Sequence, residues 1–146
     1  MKDMTATRLI CAPVPPDHVD DMWRRIVPHV QRAEKTSNGR MTADDLRVSA
    51  KQGVHLLWVI FDTEASEIIA AFSTRVVQYP QMRALLIEWM GGNRMSQWIS
   101  LAHDHIKEHA KINNCTRLEA TGRNAWIRWA GRVGWEPEFV QYTMEV

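Results

Sequence analysis

No stretch of this chain approaches the roughly 20 apolar residues that a membrane helix needs. The opening Met1-Lys2-Asp3-Met4-Thr5 lacks the long apolar run of a secretory signal. A dominant charge is also missing. Lysine plus arginine and aspartate plus glutamate nearly cancel, leaving a formal +1, which argues against a broad basic surface for nucleic acid. Cysteine is scarce: Cys11 and Cys115 lie far apart. That excludes a disulfide-stapled scaffold and fits a reducing, cytoplasm-like interior. Internal repeats, low-complexity segments and linkers are absent, so 1–146 reads as one domain. There is no Gly-x-Ser-x-Gly elbow, no Walker loop and no Cys-x-x-Cys pair, which removes the chemistries those motifs carry.

What the chain does have is core material: seven tryptophans and an apolar fraction of 45%. Thr7 to Ala12 reads as a short strand closed by Pro13, Pro15 and Pro16. Val19, Met22, Trp23, Ile26, Val27 and Val30 recur at spacings of three and four, the apolar stripe of a helix. Pro16 suits its first turn, and Pro28 should kink or shorten it. Thr42 with Asp45 three residues on predicts a capping box, with Met41 and Leu46 spaced as a hydrophobic staple. This second helix ends near Gly53. Three strands follow. Leu56–Phe61 is a continuous apolar run, as expected for a strand covered on both faces. Ile68–Val77 is stopped by Tyr79-Pro80, and Ala84–Met90 is ended by Gly91-Gly92.

A long helix is predicted from Met95 to Asn113, burying Met95, Trp98, Ile99, Ala102, Ile106 and Ala110. Arg117–Ala120 is a strand, Asn124–Arg132 a helix ended by Gly134, and Phe139–Val146 a final strand with Val140, Tyr142, Met144 and Val146 on one face. The order is β-α-α-β-β-β-α-β-α-β, an α/β (α+β) chain. It implies a mixed, mostly antiparallel sheet flanked by helices, with one parallel crossover between Leu85 and Ala120.

That order over nearly the whole chain resembles the GNAT superfamily of N-acetyltransferases. Its C-terminal half carries the most specific local match: an apolar strand, a Gly-containing turn, a long amphipathic helix, the Cys115-Thr116-Arg117-Leu118-Glu119 strand, and a short helix ending in Gly134-Trp135, where the family usually has Gly-Phe. The stretch from Gly53 through Leu57-Trp58 to Tyr79-Pro80 is similar to GNAT-like proteins encoded by bacteriophages. The resemblance implies that the loop entering the long helix holds the pyrophosphate of acetyl-CoA on backbone N–H groups. The family pattern there is Arg or Gln, two residues, Gly, one residue, then Gly or Ala. Arg94 falls at the first position, but Gln97 and Ile99 fall where the glycines belong. The last helix departs too: Arg123 stands at the family's Asn position, with Asn124 one residue off, and Ala130 at the position of the Tyr that can protonate the leaving thiolate. Glu88 lies where family members often keep a general base.

Two readings follow from the resemblance. In one, the degenerate loop marks a non-catalytic assembly or binding module with no cofactor. Such a module would work through a protein partner or self-association, in a host cytoplasm or as a component of a phage particle. In the other, the chain is an acetyl-CoA-dependent N-acetyltransferase acting on an unidentified amine. Glu88 would then be the base, and Met90, Gly91, Gly92, Asn93, Arg94, Met95, Ser96 and Gln97 would hold the cofactor. Elsewhere, His105-Ile106-Lys107-Glu108-His109 fits a His-x-x-Glu-His zinc pattern, which a charged solvent face explains better than a metal. Arg123, Arg128 and Arg132 with Trp126 and Trp129 offer a surface for a partner or, through stacking, nucleic acid, or else a mixture of core tryptophans and solvated or paired arginines, the more usual arrangement.

Overall fold

The computed structural model describes residues 8–122 and 126–146. Strand β1 (Leu9–Val14) is followed by a 3-10 turn at Pro16–His18 and helix α1 (Val19–Glu34). Helix α2 (Ala43–Lys51) leads into the meander of β2 (Leu56–Asp62), β3 (Glu67–Gln78) and β4 (Arg83–Gly92). Helix α3 (Met95–Ile112) crosses over to β5 (Arg117–Ala120), and the short α4 (Ile127–Ala130) follows. The sheet order is β1-β2-β3-β4-β5. The first four strands are antiparallel neighbours, while β4 and β5 run parallel. This is the mixed, mostly antiparallel sheet that the element order implies.

Helices cover both faces, which is why β2 is apolar at nearly every position. On one face Leu9, Cys11, Trp58, Ile60, Phe72, Leu85 and Ile87 pack under Trp98, Ala102, Ile106 and Ala110 of α3. On the other, Val14, Leu57, Val59, Ile68, Ala71 and Trp89 meet Val19, Ile26 and Val30 of α1 and Leu46 and Ala50 of α2. The capping box forms as expected: the Thr42 hydroxyl accepts from the Asp45 N–H at 3.1 Å, and the Asp45 carboxylate accepts from the Thr42 N–H at 2.9 Å. Met41 and Leu46 join the same cluster. Among the described residues, no helix is long and apolar enough to cross a membrane. Both cysteines are free.

Four expectations need correction. Strand β1 continues through Pro13, which pairs in register with Trp58. It is an edge strand, where a missing N–H is tolerated. Helix α1 is not shortened at Pro28 and continues to Glu34, because burial of Ile26, His29 and Val30 offsets the lost bond. Strand β4 runs two residues beyond Met90 and ends with Gly91 and Gly92 themselves. The predicted strand Phe139–Val146 is not formed, and its large apolar side chains are exposed. Among the described residues no strand pairs with it. Of the predicted Asn124–Arg132 helix, Asn124 lies outside the described residues. What is described is α4 and a 3-10 turn at Gly131–Val133, closed by Gly134 at φ +94°.

Candidate active site

Strands β4 and β5 pair only from Ala84 and Arg117 to Ile87 and Ala120. β5 then stops while β4 continues to Gly92. The edge of β4 facing away from β3 is therefore unpaired over Glu88–Gly92 among the described residues. On the β3 side the register shifts: Ser73 faces Glu88 and Ala71 faces Gly91. Trp89 and Met90 thus share the space opposite Phe72, a β-bulge, with Trp89 at φ +59°. A bulge bends a strand and re-aims its side chains. Trp89 is buried in the α1–α2 cluster, while Met90 packs against the α3 cluster.

The two glycines have a packing role of their own. A Cβ on Gly91 would collide with the backbone carbonyl of His29, and one on Gly92 with Ala70 and the Ile69 carbonyl. Their missing side chains let α1 and β3 approach this end of β4. The His29 imidazole adds a bond from Nε2 to the Ile68 carbonyl at 2.9 Å.

The connection into α3 is pinned from both sides. Asn93 N–H donates to the Ile69 carbonyl at 2.9 Å, and the Asn93 carbonyl accepts from Nε1 of the fully buried Trp98 at 2.7 Å. Arg94 is the N-cap residue at φ +62°, and its side chain provides no cap. Gln97 N–H returns to the Arg94 carbonyl at 2.9 Å. The backbone N–H groups of Arg94, Met95 and Ser96 meet no acceptor among the described residues. They form the positive head of an eighteen-residue helix.

The Arg94 guanidinium is already engaged. It donates to Asp62 Oδ2 at 2.8 Å and to Gln97 Oε1 from both Nε and Nη2, at 3.0 and 2.9 Å. Asp62 is buried, accepts from the N–H groups of Glu64 and Ala65, and lies 3.3 Å from Arg8 Nε. The Arg94 bond chiefly holds its carboxyl below the usual range, against the opposing effect of burial. The Gln97 side chain folds back on Arg94, so at this position it takes space that a glycine would leave open.

Glu88, at the start of the open edge, sits in a polar cluster that sequence reasoning missed. Its Oε1 accepts from His55 Nε2 at 3.2 Å and from Arg75 Nε at 3.4 Å. The other ring nitrogen of His55 lies 2.7 Å from Ser49 Oγ. An ionised carboxylate can only accept, so His55 Nε2 carries the hydrogen of the shared bond. The His55 bond chiefly lowers the Glu88 pKa, with Arg75 adding to it, against desolvation that raises it. His55 and Arg75 also line a cleft of about 510 Å³ together with Thr74, Leu85, His109 and Asn113. The only sequence signal for His55 is a lone polar residue immediately before an apolar strand. Nothing in the sequence places Arg75 or Ser49 beside Glu88.

The remaining candidates disperse. His109 packs edge-on against Trp58 with centroids 5.3 Å apart, and burial lowers its pKa. Among the described residues, no group of three side chains is arranged to hold a metal. Arg123 lies outside the described residues, Trp126 packs over Gly122, and Arg128 is exposed. Ala130 stands in α4; of the chain's two tyrosines, Tyr142 is exposed and Tyr79 donates to Glu119 at 2.8 Å.

These features together define the GNAT N-acetyltransferase fold, and solved structures share it. The glucosamine-6-phosphate N-acetyltransferase of Arabidopsis thaliana is similar at TM-score 0.70 and 14% identity, over 94% of this chain and 97% of that one. An aminoglycoside acetyltransferase from an uncultured soil metagenomic sample is similar at 0.72 and 12% identity, over 94% and 98%. A predicted acetyltransferase from Clostridium acetobutylicum, solved with acetyl-CoA, is similar at 0.65 and 10% identity, over 94% and 96%. No family model and no curated protein matches the chain.

Proposed function

We propose that this chain is an acetyl-CoA-dependent N-acetyltransferase whose acceptor is an amine. One observation carries the reading: the unpaired edge of β4 at Glu88–Gly92 leads directly to the uncapped head of α3. An extended polar chain can pair with an open strand edge, and a phosphate suits free N–H groups at a helix start. A molecule with a pantetheine arm and a pyrophosphate fits both, so the residues present suit acetyl-CoA. The Met90–Gly92 backbone would line its arm, and the N–H groups of Arg94, Met95 and Ser96 would meet its phosphates. When bound, the cofactor supplies an acetyl thioester. The Glu88 carboxylate accepts the proton of the incoming ammonium, directly or through water. His55 and Arg75 hold that carboxylate in place and keep it ionised at neutral pH. Because they also make it a weaker base, Glu88 is suited to an amine whose own pKa is low.

Calorimetric titration with acetyl-CoA, with desulfo-CoA as the comparison, tests the reading. Micromolar binding is expected, followed by acetylation of members of an amine panel that drops at least about 100-fold in Glu88→Gln. Absence of binding at millimolar cofactor would overturn it. A second reading, a non-catalytic binding module, draws on the engagement of Arg94 by Asp62 and Gln97, which takes three of that guanidinium's five N–H donors. The same titration separates the two.

A further inference from the structure

We infer that the acceptor is a compact zwitterion: an amine whose nitrogen meets Glu88 while a carboxylate or phosphate, carried a few bonds away on the same molecule, is held by Arg75. The inference rests on reading Glu88 as the base of an acetyltransferase, and it names the class of that enzyme's substrate.

The sheet sets the two residues on one face. Ser73 of β3 is opposite Glu88 of β4; two residues on, Arg75 is opposite Leu86, which in turn is opposite Glu119 of β5. Residues directly opposite one another share a face, and so do alternate residues along a strand. Helix α1 approaches the other end of β4, at Gly91 and Trp89. Arg75, Leu86, Glu88 and Glu119 are left half-buried.

The bonds within this group leave two functional ends open. Glu119 is taken up by the Tyr79 hydroxyl at 2.8 Å and by Arg117 at 3.3 Å. Glu88 uses only Oε1, toward His55 and Arg75, and its Oε2 has no partner among the described residues. Arg75 donates only from Nε, at 3.4 Å, and its terminal Nη1 and Nη2 have no partner among the described residues. A free acceptor for an ammonium therefore adjoins a free fork for an anion.

The cleft narrows the choice. Of the residues lining its volume of about 510 Å³, Arg75 is the only lysine, arginine, aspartate or glutamate. His109, which also lines it, has its pKa lowered by burial and is uncharged at neutral pH. Val54, Leu56, Val76 and Leu85 supply an apolar wall. A lone guanidinium in a cleft of small-molecule size selects a carboxylate or phosphate and repels a second cation on the substrate. An anion on the carbon that bears the amine would raise the amine's pKa, which Glu88, a weak base, does not suit. An amine in the range of a peptide α-amine, about 7.7–8.0, with its anion farther along the molecule, meets both demands. Transfer joins the nitrogen to the acetyl carbonyl carbon as the C–S bond breaks. Of the two protons that the ammonium sheds, one passes to Glu88 and the other to the departing sulfur.

Two matched pairs of compounds test this: glucosamine 6-phosphate with glucosamine, and glycylglycine with glycylglycinamide. Binding to the full chain is followed by protein NMR shifts, with and without desulfo-CoA, and transfer by kcat/KM with acetyl-CoA. The anionic member of at least one pair is expected to be favoured at least about 10-fold over its partner, and the pair that shows this tells phosphate from carboxylate. In Arg75→Gln the ratio within that pair is expected to fall to near one, while Arg75→Lys keeps part of it. The ratio is the readout because any loss of Glu88 positioning lowers both members alike. Transfer to amines without preference for the anionic member overturns the inference and leaves the acetyltransferase reading standing. Arg75-dependent binding of an anionic member by a chain that does not bind acetyl-CoA does the reverse: the zwitterion site stands and the transfer reading falls. A preference that survives Arg75→Gln overturns the inference, as does failure of all four compounds to bind or react at millimolar concentration.

Discussion

Glu88 illustrates what a single residue's surroundings do to its chemistry. It accepts from both His55 and Arg75, and the outcome is a carboxyl titrating below its ordinary value of 4.5. The linkage sign follows. A carboxyl with a lowered folded pKa stabilises the protein above its unfolded value, and that contribution is lost as pH falls through the folded one. The stability advantage of the parent over Glu88→Gln is therefore expected to be full at neutral pH and to disappear below pH 4.5. Urea unfolding of both proteins at stepped pH would read it; an advantage that grows on acidification would contradict the cluster. The cysteines differ in the same local way. Cys11 is 4% exposed, and burial pushes its thiol up to about 12, whereas Cys115 is half-buried. The thiolate is the reactive form. Iodoacetamide at pH 8 on the native protein is expected to modify Cys115 and spare Cys11, as peptide mass mapping would reveal.

At the scale of elements, local signals were legible where the element makes its own bonds. Thr42 and Asp45 announced the start of α2 because both halves of the capping box lie within four consecutive residues. Thr42→Ala is expected to cost about 1 kcal/mol in a thermal or urea melt. The stripes of α1 and α3 were legible for the same reason. Where tertiary packing outweighs the local rule, the reading failed. Pro13, Pro28 and the Gly91-Gly92 pair are all breakers in isolation. Here an edge position, a buried helix face and a close helix–strand approach accommodate them. Gly91 provides the sharpest test, since its absent Cβ would strike the main chain of α1 rather than a movable side-chain tip. Gly91→Ala is expected to destabilise by about 1–3 kcal/mol through overpacking. A melt unchanged from the parent would mean that α1 can shift away from β4 without cost.

Across the whole molecule, the order of elements carried the fold, because two short hairpin connections and one crossover leave few arrangements open. The site was legible only in part. Glu88 and the 90–97 segment could be placed from their position at the end of a strand and the start of a helix. Ser49, His55 and Arg75 could not, since the sheet and α2 bring them together from distant parts of the chain. The final strand was legible as a pattern but not as a structure, because pairing depends on an edge that the pattern does not contain. The junction of β4 with α3 belongs to this scale as well. It joins the sheet, through Asn93 and Ile69, to the core, through Trp98. A ligand held there by backbone N–H groups binds the folded chain and not the unfolded one, so it must raise the stability of the entire domain. At acetyl-CoA about 100 times its dissociation constant the gain is about 2.7 kcal/mol. For a chain of this size that corresponds to a rise in melting temperature of roughly 5–10 °C. Trp98→Phe removes the donor that holds the Asn93 carbonyl while keeping an aromatic ring in the core. It is expected to shrink that ligand-dependent rise by more than it lowers the melting temperature of the free protein. Equal shifts in both would confine Trp98 to the core and separate the junction's geometry from binding.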